Sequence, residues 1–375
     1  MKSFAAGVRN PTRRFAASSA STKRAVIVCP GRGSYNSSEL ATMKRLPFRQ
    51  EWSDLISAAD ERCAAAGLST ITTLDESTKF SRNLHLEAAH ASTLIYTLSV
   101  ASMRAMSRAA RQWQPVGIVG NSLGWYTALQ LSGCVTFEQG LDLVIGTGSF
   151  QRRAGQVGGQ LVYPVLDDNW QKDDKLTKAV EGGIAAARAQ GGFASLSIDL
   201  GGLVVLAADD IGMAALRASI PPITRGPTKF PLVLPAHSAF HTPLMEPMAQ
   251  AIAELDPPPF AFPPRIPIVD GTGKIWSTAD DKNNASTADA IGAAALREYT
   301  IGEQIRAPYH FGRSLEIALR EWDPDAIVLL GPGASLGGAI GQIIARHGWR
   351  GIHSKADFAA AQASASPVLL TPGAT

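Results

Sequence analysis

The 375-residue chain has little of several features that mark whole classes of protein. Its three cysteines, Cys29, Cys63 and Cys134, lie far apart, and no histidine cluster has metal-ligand spacing. This pattern excludes a disulfide framework and a zinc site, so we expect three buried thiols in a reducing compartment. The sequence indicates neither a metal nor any other resident cofactor.

Long charge-free apolar runs are also scarce. The longest extends from Ala326 to Ala345 and contains Gly331-Pro332-Gly333, which is typical of a strand, a turn and a helix. We therefore predict no transmembrane segment and no membrane partner. The composition, 45% hydrophobic and 18% charged, is that of a globular protein, and the length suits one large α/β domain with an inserted subdomain.

Acidic residues are missing from the first 24 positions, which carry six basic residues. The segment has a charge of +6 against a total of +3, so the remainder carries −3. A Ser/Ala/Arg-rich leader of this kind predicts a mitochondrial transit peptide and the matrix, or a disordered extension and the cytoplasm if the protein is bacterial. The mildly acidic remainder offers no broad basic surface, so we expect no nucleic-acid partner.

Two short apolar runs predict buried parallel strands that each end in a glycine-rich turn. Ala25 to Cys29 leads into Pro30 to Ser34, and Val116 to Val119 leads into Gly120 to Gly124. A strand followed by such a turn usually begins an α/β unit. Further elements of this domain are predicted at 50–66, 84–111, 241–255 and 303–321 for helices, at 266–269 and 326–330 for strands, and at 277–288 for a polar loop.

Residues 158–235 are predicted to form a smaller inserted unit with the βαββαβ order of ferredoxin-like folds. Its elements are expected at 161–166, 174–189, 194–198, 203–207, 210–218 and 230–234. The large α/β domain would then cover 25–157 and 236–353. A leader at 1–24 and a loose tail at 354–375 complete the predicted organisation.

Ser122 is the first candidate for chemistry, because Gly120-Asn121-Ser122-Leu123-Gly124 follows a predicted strand and precedes a predicted helix. This is the context of a nucleophile elbow, in which a tight turn exposes the serine hydroxyl at a helix N-terminus. The alternative is an ordinary βα turn. A serine nucleophile needs a base, and His237 and His241 lie where the inserted unit returns to the large domain, a place where a cleft is expected.

Four segments resemble, in order and spacing, the motifs of the malonyl-CoA:acyl-carrier-protein transacylases and the acyltransferase domains of polyketide synthases. They are Pro30 to Ser34, Gly120 to Gly124, Ser238 to Met245 and Gly331 to Gly333, within a resemblance that covers about residues 24 to 350. The resemblance implies a hydrolase-like parallel-sheet domain with a ferredoxin-like insert. It also implies ping-pong transfer of an acyl group from acyl-CoA to an acyl carrier protein.

The same resemblance assigns roles to individual residues. Ser122 is the implied nucleophile and His241 the implied base. Backbone N–H groups of Arg32 and Leu123 would form the oxyanion hole, and a carbonyl of Gln304 would hold the histidine in its useful tautomer. No carboxylate is needed as a third member.

Three positions depart from the family pattern. Asn121 stands where a histidine is usual, and Trp125 places a bulky aromatic at the expected lip of the site. Thr147 stands where malonyl-specific members carry an arginine that pairs with the malonyl carboxylate. Malonyl is the family default, but an acetyl or another uncharged acyl group competes with it. Arg152, Arg153 or Arg32 could supply the missing charge, or could form a solvated rim facing an acidic carrier protein.

Three other functions stay open at this stage. An acyl-thioester hydrolase would use water in place of the carrier thiol. A simple α/β-hydrolase esterase would use a later histidine, His310 or His347. A degenerate member would serve only as a carrier-protein docking module. The sequence leaves the oligomeric state open, a monomer included.

Overall fold

A computed structural model describes residues 22–109, 112–277 and 285–371. The predicted leader lies outside these ranges except for its last residues, and Lys23 and Arg24 already belong to the first strand. In the described ranges, no helix is both long and apolar enough to cross a membrane.

The described ranges contain twelve strands, labelled β1 to β12 in chain order. They are Lys23–Cys29, Trp113–Gly120, Gly159–Pro164, Ala194–Asp199, Leu203–Ala208, Ile223–Arg225, Thr228–Phe230, Leu232–Leu234, Ile268–Val269, Ile275–Trp276, Ala326–Leu329 and Leu369–Leu370.

The same ranges contain fifteen α-helices, labelled α1 to α15. They are Thr42–Arg45, Ser53–Ala65, Ile71–Asp75, Arg82–His85, Ala88–Ala109, Gly124–Leu131, Phe137–Ala154, Asp174–Ala189, Asp210–Ser219, Glu246–Glu254, Ala285–Ile301, Glu303–Arg306, Phe311–Trp322, Gly337–His347 and Lys355–Gln362. A 3₁₀ turn at Pro243–Met245 leads into α10.

The larger sheet has the order β10-β9-β2-β1-β11-β12 and is parallel except for the β9–β10 pair. Successive side chains of a strand point to opposite faces, and here both faces are buried. Ile27 and Cys29 pack into one hydrophobic core, whereas Val26 and Val28 pack into the other. This two-sided burial explains why β1 is a continuous apolar run and why its extent could be predicted closely.

The smaller sheet has the order β4-β5-β3-β8, and its described pairings are antiparallel. Helices α8 and α9 connect its strands in the predicted βαββαβ sequence, and a short hairpin of β6 and β7 precedes the last strand. The predicted α/β fold class is confirmed, whereas the division into domains at 157/158 and 235/236 stays a prediction.

The prediction of a loose tail is wrong for residues 355–370. Helix α15 contacts α14. Its Phe358 ring also lies 5.6 Å from the ring of Trp170, in the loop between β3 and α8. Strand β12 extends the larger sheet by pairing in parallel with β11, and Leu369 is buried there. The Ala/Ser-rich composition predicts a loose segment, but a few apolar side chains are enough to attach it to the edge of the sheet.

Other predicted elements need smaller corrections. The helix expected over 303–321 is two helices, because the chain breaks around Pro308. The strand expected over 230–234 divides at Pro231 into the end of β7 and β8. Helix α11 was not predicted; it begins inside the expected polar loop, of which residues 278–284 lie outside the described ranges. The three cysteines are buried and unpaired, as expected.

Candidate active site

Ser122 lies between the end of β2 and the start of α6, with a φ of 52°. This left-handed conformation is costly for a residue with a side chain and is usually found where function requires it. The flanking glycines permit the turn. A Cβ at Gly124 would lie 2.1 Å from the carbonyl oxygen of Cys29, and one at Gly120 would lie 2.5 Å from the backbone nitrogen of Trp125. The predicted elbow geometry is therefore present.

His241 faces this serine. Its Nε2 is 2.7 Å from Ser122 Oγ, and its Nδ1 is 2.8 Å from the backbone carbonyl oxygen of Gln304. Because a carbonyl can only accept, Nδ1 carries the proton and Nε2 is left to accept the serine hydroxyl. The backbone carbonyl of Gln304, and not its side-chain amide, thus holds the tautomer.

Burial lowers the pKa of His241 to about 4, although the hydrogen bond to Gln304 acts in the opposite direction. The imidazole is therefore neutral at pH 7 and able to accept a proton. His241 itself has a φ of 60°, and its backbone N–H donates to the carbonyl of Ile305. Both members of the pair are thus held in the left-handed region by surrounding structure.

The elbow is supported by side chains that sequence reasoning missed in part. Gln304 Nε2 donates to the backbone oxygen of Ser122 at 3.1 Å, and the Tyr126 hydroxyl donates to Gln304 Oε1 at 3.3 Å. The Tyr309 hydroxyl donates to the carbonyl of Gly120 at 2.7 Å. No sequence motif marks either tyrosine, because each hydroxyl acts on groups that are distant in the chain.

The backbone N–H groups of Arg32 and Leu123 are available to an incoming ligand. Across the described ranges neither donates to another group, and both residues line the same pocket as Ser122. This arrangement is compatible with the predicted oxyanion hole.

The Arg32 side chain joins the turn after β1 to the loop that carries His241. Its guanidinium donates to the Ala236 carbonyl at 2.5 Å, to Gln151 Oε1 at 3.2 Å and to His237 Nε2 at 3.4 Å. It also lies 5.3 Å from the ring of Phe240. Burial lowers the pKa of Arg32 to about 10, so it remains a cation at pH 7.

The predicted pocket residues are placed unequally. Asn121 and Thr147 are buried and line the pocket, and the Thr147 hydroxyl donates to the Val144 carbonyl at 3.1 Å. The placement of Trp125 at the lip is wrong. Trp125 is 0% exposed, and its Nε1 donates to Thr300 Oγ1 at 3.0 Å. One step along α6 rotates a side chain by about 100°, which turns position 125 into the core and leaves Tyr126 at the pocket.

The alternative cations and bases lie elsewhere. Arg152 and Arg153 are exposed and do not line the pocket, so of the three arginines considered only Arg32 does. His347 pairs with Glu316 at 3.2 Å, and neither it nor His310 lines the pocket. His237 lines the pocket but faces Arg32 and not Ser122.

The pocket itself has a volume of about 460 Å³. One side carries Ser122, His241 and their supports, and the other is formed by apolar side chains of the smaller sheet. A cavity of this size, mostly apolar with a few convergent polar groups, is typical of a small-molecule site. The arrangement can transfer an acyl group to and from a serine hydroxyl.

No protein-family model matches the chain. A curated relative, a phenolphthiocerol synthesis polyketide synthase type I from Mycobacterium marinum, is 26% identical over 245 residues. That match covers 64% of this chain and 10% of the relative, so the chain spans about a tenth of that protein's length.

Solved structures resemble the chain over most of its length. The acyl-carrier-protein S-malonyltransferase of Burkholderia pseudomallei matches 86% of this chain and 93% of its own at 22% identity, with a TM-score of 0.64. The malonyl-CoA:ACP transacylase of Synechocystis matches 94% and 97% at 17% identity, with a TM-score of 0.67. A malonyl-transacylase in complex with a type II polyketide synthase acyl-carrier protein matches 86% and 93% at 21% identity, with a TM-score of 0.63. The chain therefore has the malonyl-CoA:ACP transacylase fold.

Proposed function

We propose that the protein is an acyl-CoA:acyl-carrier-protein S-acyltransferase that works through an ester on Ser122. The observation that carries this proposal is the 2.7 Å contact between Ser122 Oγ and His241 Nε2 inside an apolar pocket. The fold and the resemblance of the four motifs support the same chemistry.

In the first half-reaction, Ser122 Oγ attacks the thioester carbonyl carbon of an acyl-CoA. The hydroxyl proton moves to His241 Nε2, the C–S bond breaks, and the proton passes to the departing sulfur to give free coenzyme A. In the second half-reaction the thiol of the carrier's phosphopantetheine gives its proton to His241 Nε2, and its sulfur attacks the ester carbonyl carbon. The C–O bond to Ser122 then breaks, and the imidazolium passes that proton to Ser122 Oγ. Each half-reaction is complete in itself, which gives ping-pong kinetics.

The backbone explains why a carboxylate is not required. The Gln304 carbonyl orients the imidazole, and its partial negative charge stabilises the imidazolium that forms in each half-reaction. The N–H groups of Arg32 and Leu123 would donate to the negative oxygen of the tetrahedral intermediate. The two glycine-rich turns thus serve one reacting carbon.

The partners of this reaction are an acyl-CoA and an acyl carrier protein. An acyl carrier protein is the partner in one of the structures of similar fold. Malonyl is the acyl group that the family resemblance suggests first. Thr147 in the pocket wall is the observation that argues against it.

The test is transfer itself. Purified protein is incubated with malonyl-CoA or acetyl-CoA, and intact mass is measured before and after addition of a phosphopantetheinylated carrier protein. We expect an acyl adduct on Ser122 that disappears as the carrier gains the same mass. Ser122→Ala should abolish the adduct, whereas Ser335→Ala, at another serine of the pocket wall, should retain it.

The rival functions appear as distinct outcomes. Release of coenzyme A without acylation of the carrier would indicate a thioester hydrolase. Binding of the carrier without an adduct from any acyl-CoA would indicate a docking module and would overturn the proposal.

A further inference from the structure

We propose that the acyl group carried by Ser122 is an uncharged aliphatic chain, held against the face of the smaller sheet that lines the pocket. This inference rests on the proposed acyl transfer and names its substrate class. Four apolar side chains carry it: Leu232, Val162, Val205 and Ile198, here called the aliphatic row.

The aliphatic row follows from strand register. Val162 on β3 is directly opposite Leu232 on β8 and Val205 on β5, and Val205 is opposite Ile198 on β4. Directly opposed residues of paired strands point to the same face. All four side chains line the pocket, so the row crosses the full width of the sheet.

The pocket also extends along β3, at right angles to the aliphatic row and away from the catalytic pair. Gln160 lies two residues before Val162, and its amide donates to the carbonyl of Phe240, the neighbour of His241, at 3.3 Å. Leu203 also lines the pocket and is opposite Pro164, two residues beyond Val162. From Gln160 to Pro164 the strand advances about 13 Å. The pocket floor is therefore polar next to His241 and apolar beyond it, over the length of a medium-chain acyl group.

The wall opposite the sheet adds further apolar side chains, beside the hydroxyl of Ser335. Leu336, before α14, and Ile305, in α12, face the same cavity from the larger part of the molecule. The phosphopantetheine arm carries amide groups that lose hydrogen bonds when buried against such walls. Methylene groups lose nothing there, so the acyl chain is the better occupant of this part of the pocket.

Among the described residues that line the pocket, a carboxylate on the acyl group would find no unengaged cation. Thr147 directs its hydroxyl to the Val144 carbonyl, and Arg152 and Arg153 are exposed outside the pocket. Arg32 does line the pocket, but it already donates to Ala236, Gln151 and His237. Burying an unpaired carboxylate against the aliphatic row is strongly unfavourable.

The first experiment measures kcat/KM for acylation of Ser122 with acetyl-, butanoyl-, hexanoyl-, octanoyl- and malonyl-CoA. We expect an increase of about fourfold per added methylene up to the length of the pocket. Octanoyl-CoA should exceed malonyl-CoA by about 10²-fold or more. A preference for malonyl-CoA would overturn the inference. Loss of that preference in Arg32→Gln would then assign the malonyl carboxylate to Arg32.

The second experiment narrows the apolar part of the pocket by enlarging a side chain that lines it. Val162→Phe should lower the ratio of octanoyl to acetyl kcat/KM by about tenfold or more. Leu203→Phe should do the same at the far end and replaces the first variant if that one does not fold. The matched control is Val233→Phe, because Val233 lies on β8 between two pocket residues but points to the opposite face of the sheet, outside the pocket. An equal fall in the ratio for Val233→Phe would contradict the placement of the acyl chain against the aliphatic row.

A binding measurement separates this inference from the proposed reaction. Calorimetry with Ser122→Ala measures the affinity of the pocket for the same acyl-CoA series without any acyl transfer. Affinity that rises with chain length supports the inference even if wild-type protein forms no adduct, an outcome that would refute only the acyl transfer. An affinity that is independent of chain length would overturn the inference that the acyl chain binds against the aliphatic row.

Discussion

The two sheets of this molecule differ in what their faces contact. Both faces of the larger, parallel sheet are buried in hydrophobic cores. Its candidate catalytic residue, Ser122, lies in the turn that follows the end of β2. The smaller sheet packs α8 and α9 on one face and presents the aliphatic row to the pocket on the other. We infer that the larger sheet determines the reaction and the smaller sheet determines what is transferred.

The largest expected effect comes from removing His241, which follows the smaller sheet in the chain and contacts Ser122 at the end of the larger sheet. His241→Ala removes the base, so kcat should fall by about 10² to 10⁴-fold for every acyl group. His237→Ala is the control, because His237 accepts from Arg32 and does not contact Ser122. Both variants are compared by steady-state kinetics with acetyl- and octanoyl-CoA. Equal losses in the two variants would remove His241 from its assigned role.

The next effect concerns backbone packing on the two sheets. Gly124→Ala would push a Cβ against the Cys29 carbonyl, so we expect a loss of about 1 to 3 kcal/mol in the free energy of unfolding. Gly182→Ala, in α8 on the smaller sheet, meets no atom within 4 Å. It should gain about 0.5 to 1 kcal/mol, since alanine favours a helix interior. Urea denaturation measures both, and a tolerated Gly124→Ala would contradict the tight elbow.

Tyr309 connects the two parts, because its backbone pairs with β4 while its hydroxyl holds the Gly120 carbonyl. Tyr309→Phe should cost about 1 kcal/mol of stability and lower kcat severalfold as the elbow shifts. Tyr163→Phe, which removes a hydroxyl bonded to the Pro221 carbonyl, should cost similar stability without lowering kcat. Unfolding and kinetics on the same preparations make the comparison.

The smallest effect is the response to pH. Protonation of His241 removes the base, so activity is retained above its pKa and lost as pH falls through it. With that pKa at about 4, kcat/KM for acylation should stay level from pH 8 to about pH 5 and be halved near pH 4. The profile should be the same for short and long acyl groups. A midpoint near 6.5, the ordinary value for histidine, would show that water reaches the imidazole.

Local sequence was informative wherever local physics decides the structure. The buried strand at Ala25 to Cys29, the helix at Asp174–Ala189 and the turn around Ser122 depend on apolar runs and glycine positions within a few residues. The same reasoning failed at the tail, where Leu369 is held by a strand more than 40 residues away. It failed at Trp125 because helix rotation relative to the pocket has no local signature.

The amino-acid sequence alone determined the candidate nucleophile, its candidate base and the absence of an arginine at Thr147, since each depends on residue type within a motif. Only the tertiary structure decided that His241 Nε2 reaches Ser122, that Arg32 is engaged by Ala236 and Gln151, and that Trp125 is buried. It also brought four strands into the register that forms the aliphatic row. Side chains far apart in the chain share a surface only through strand pairing and packing, which no single segment of sequence records.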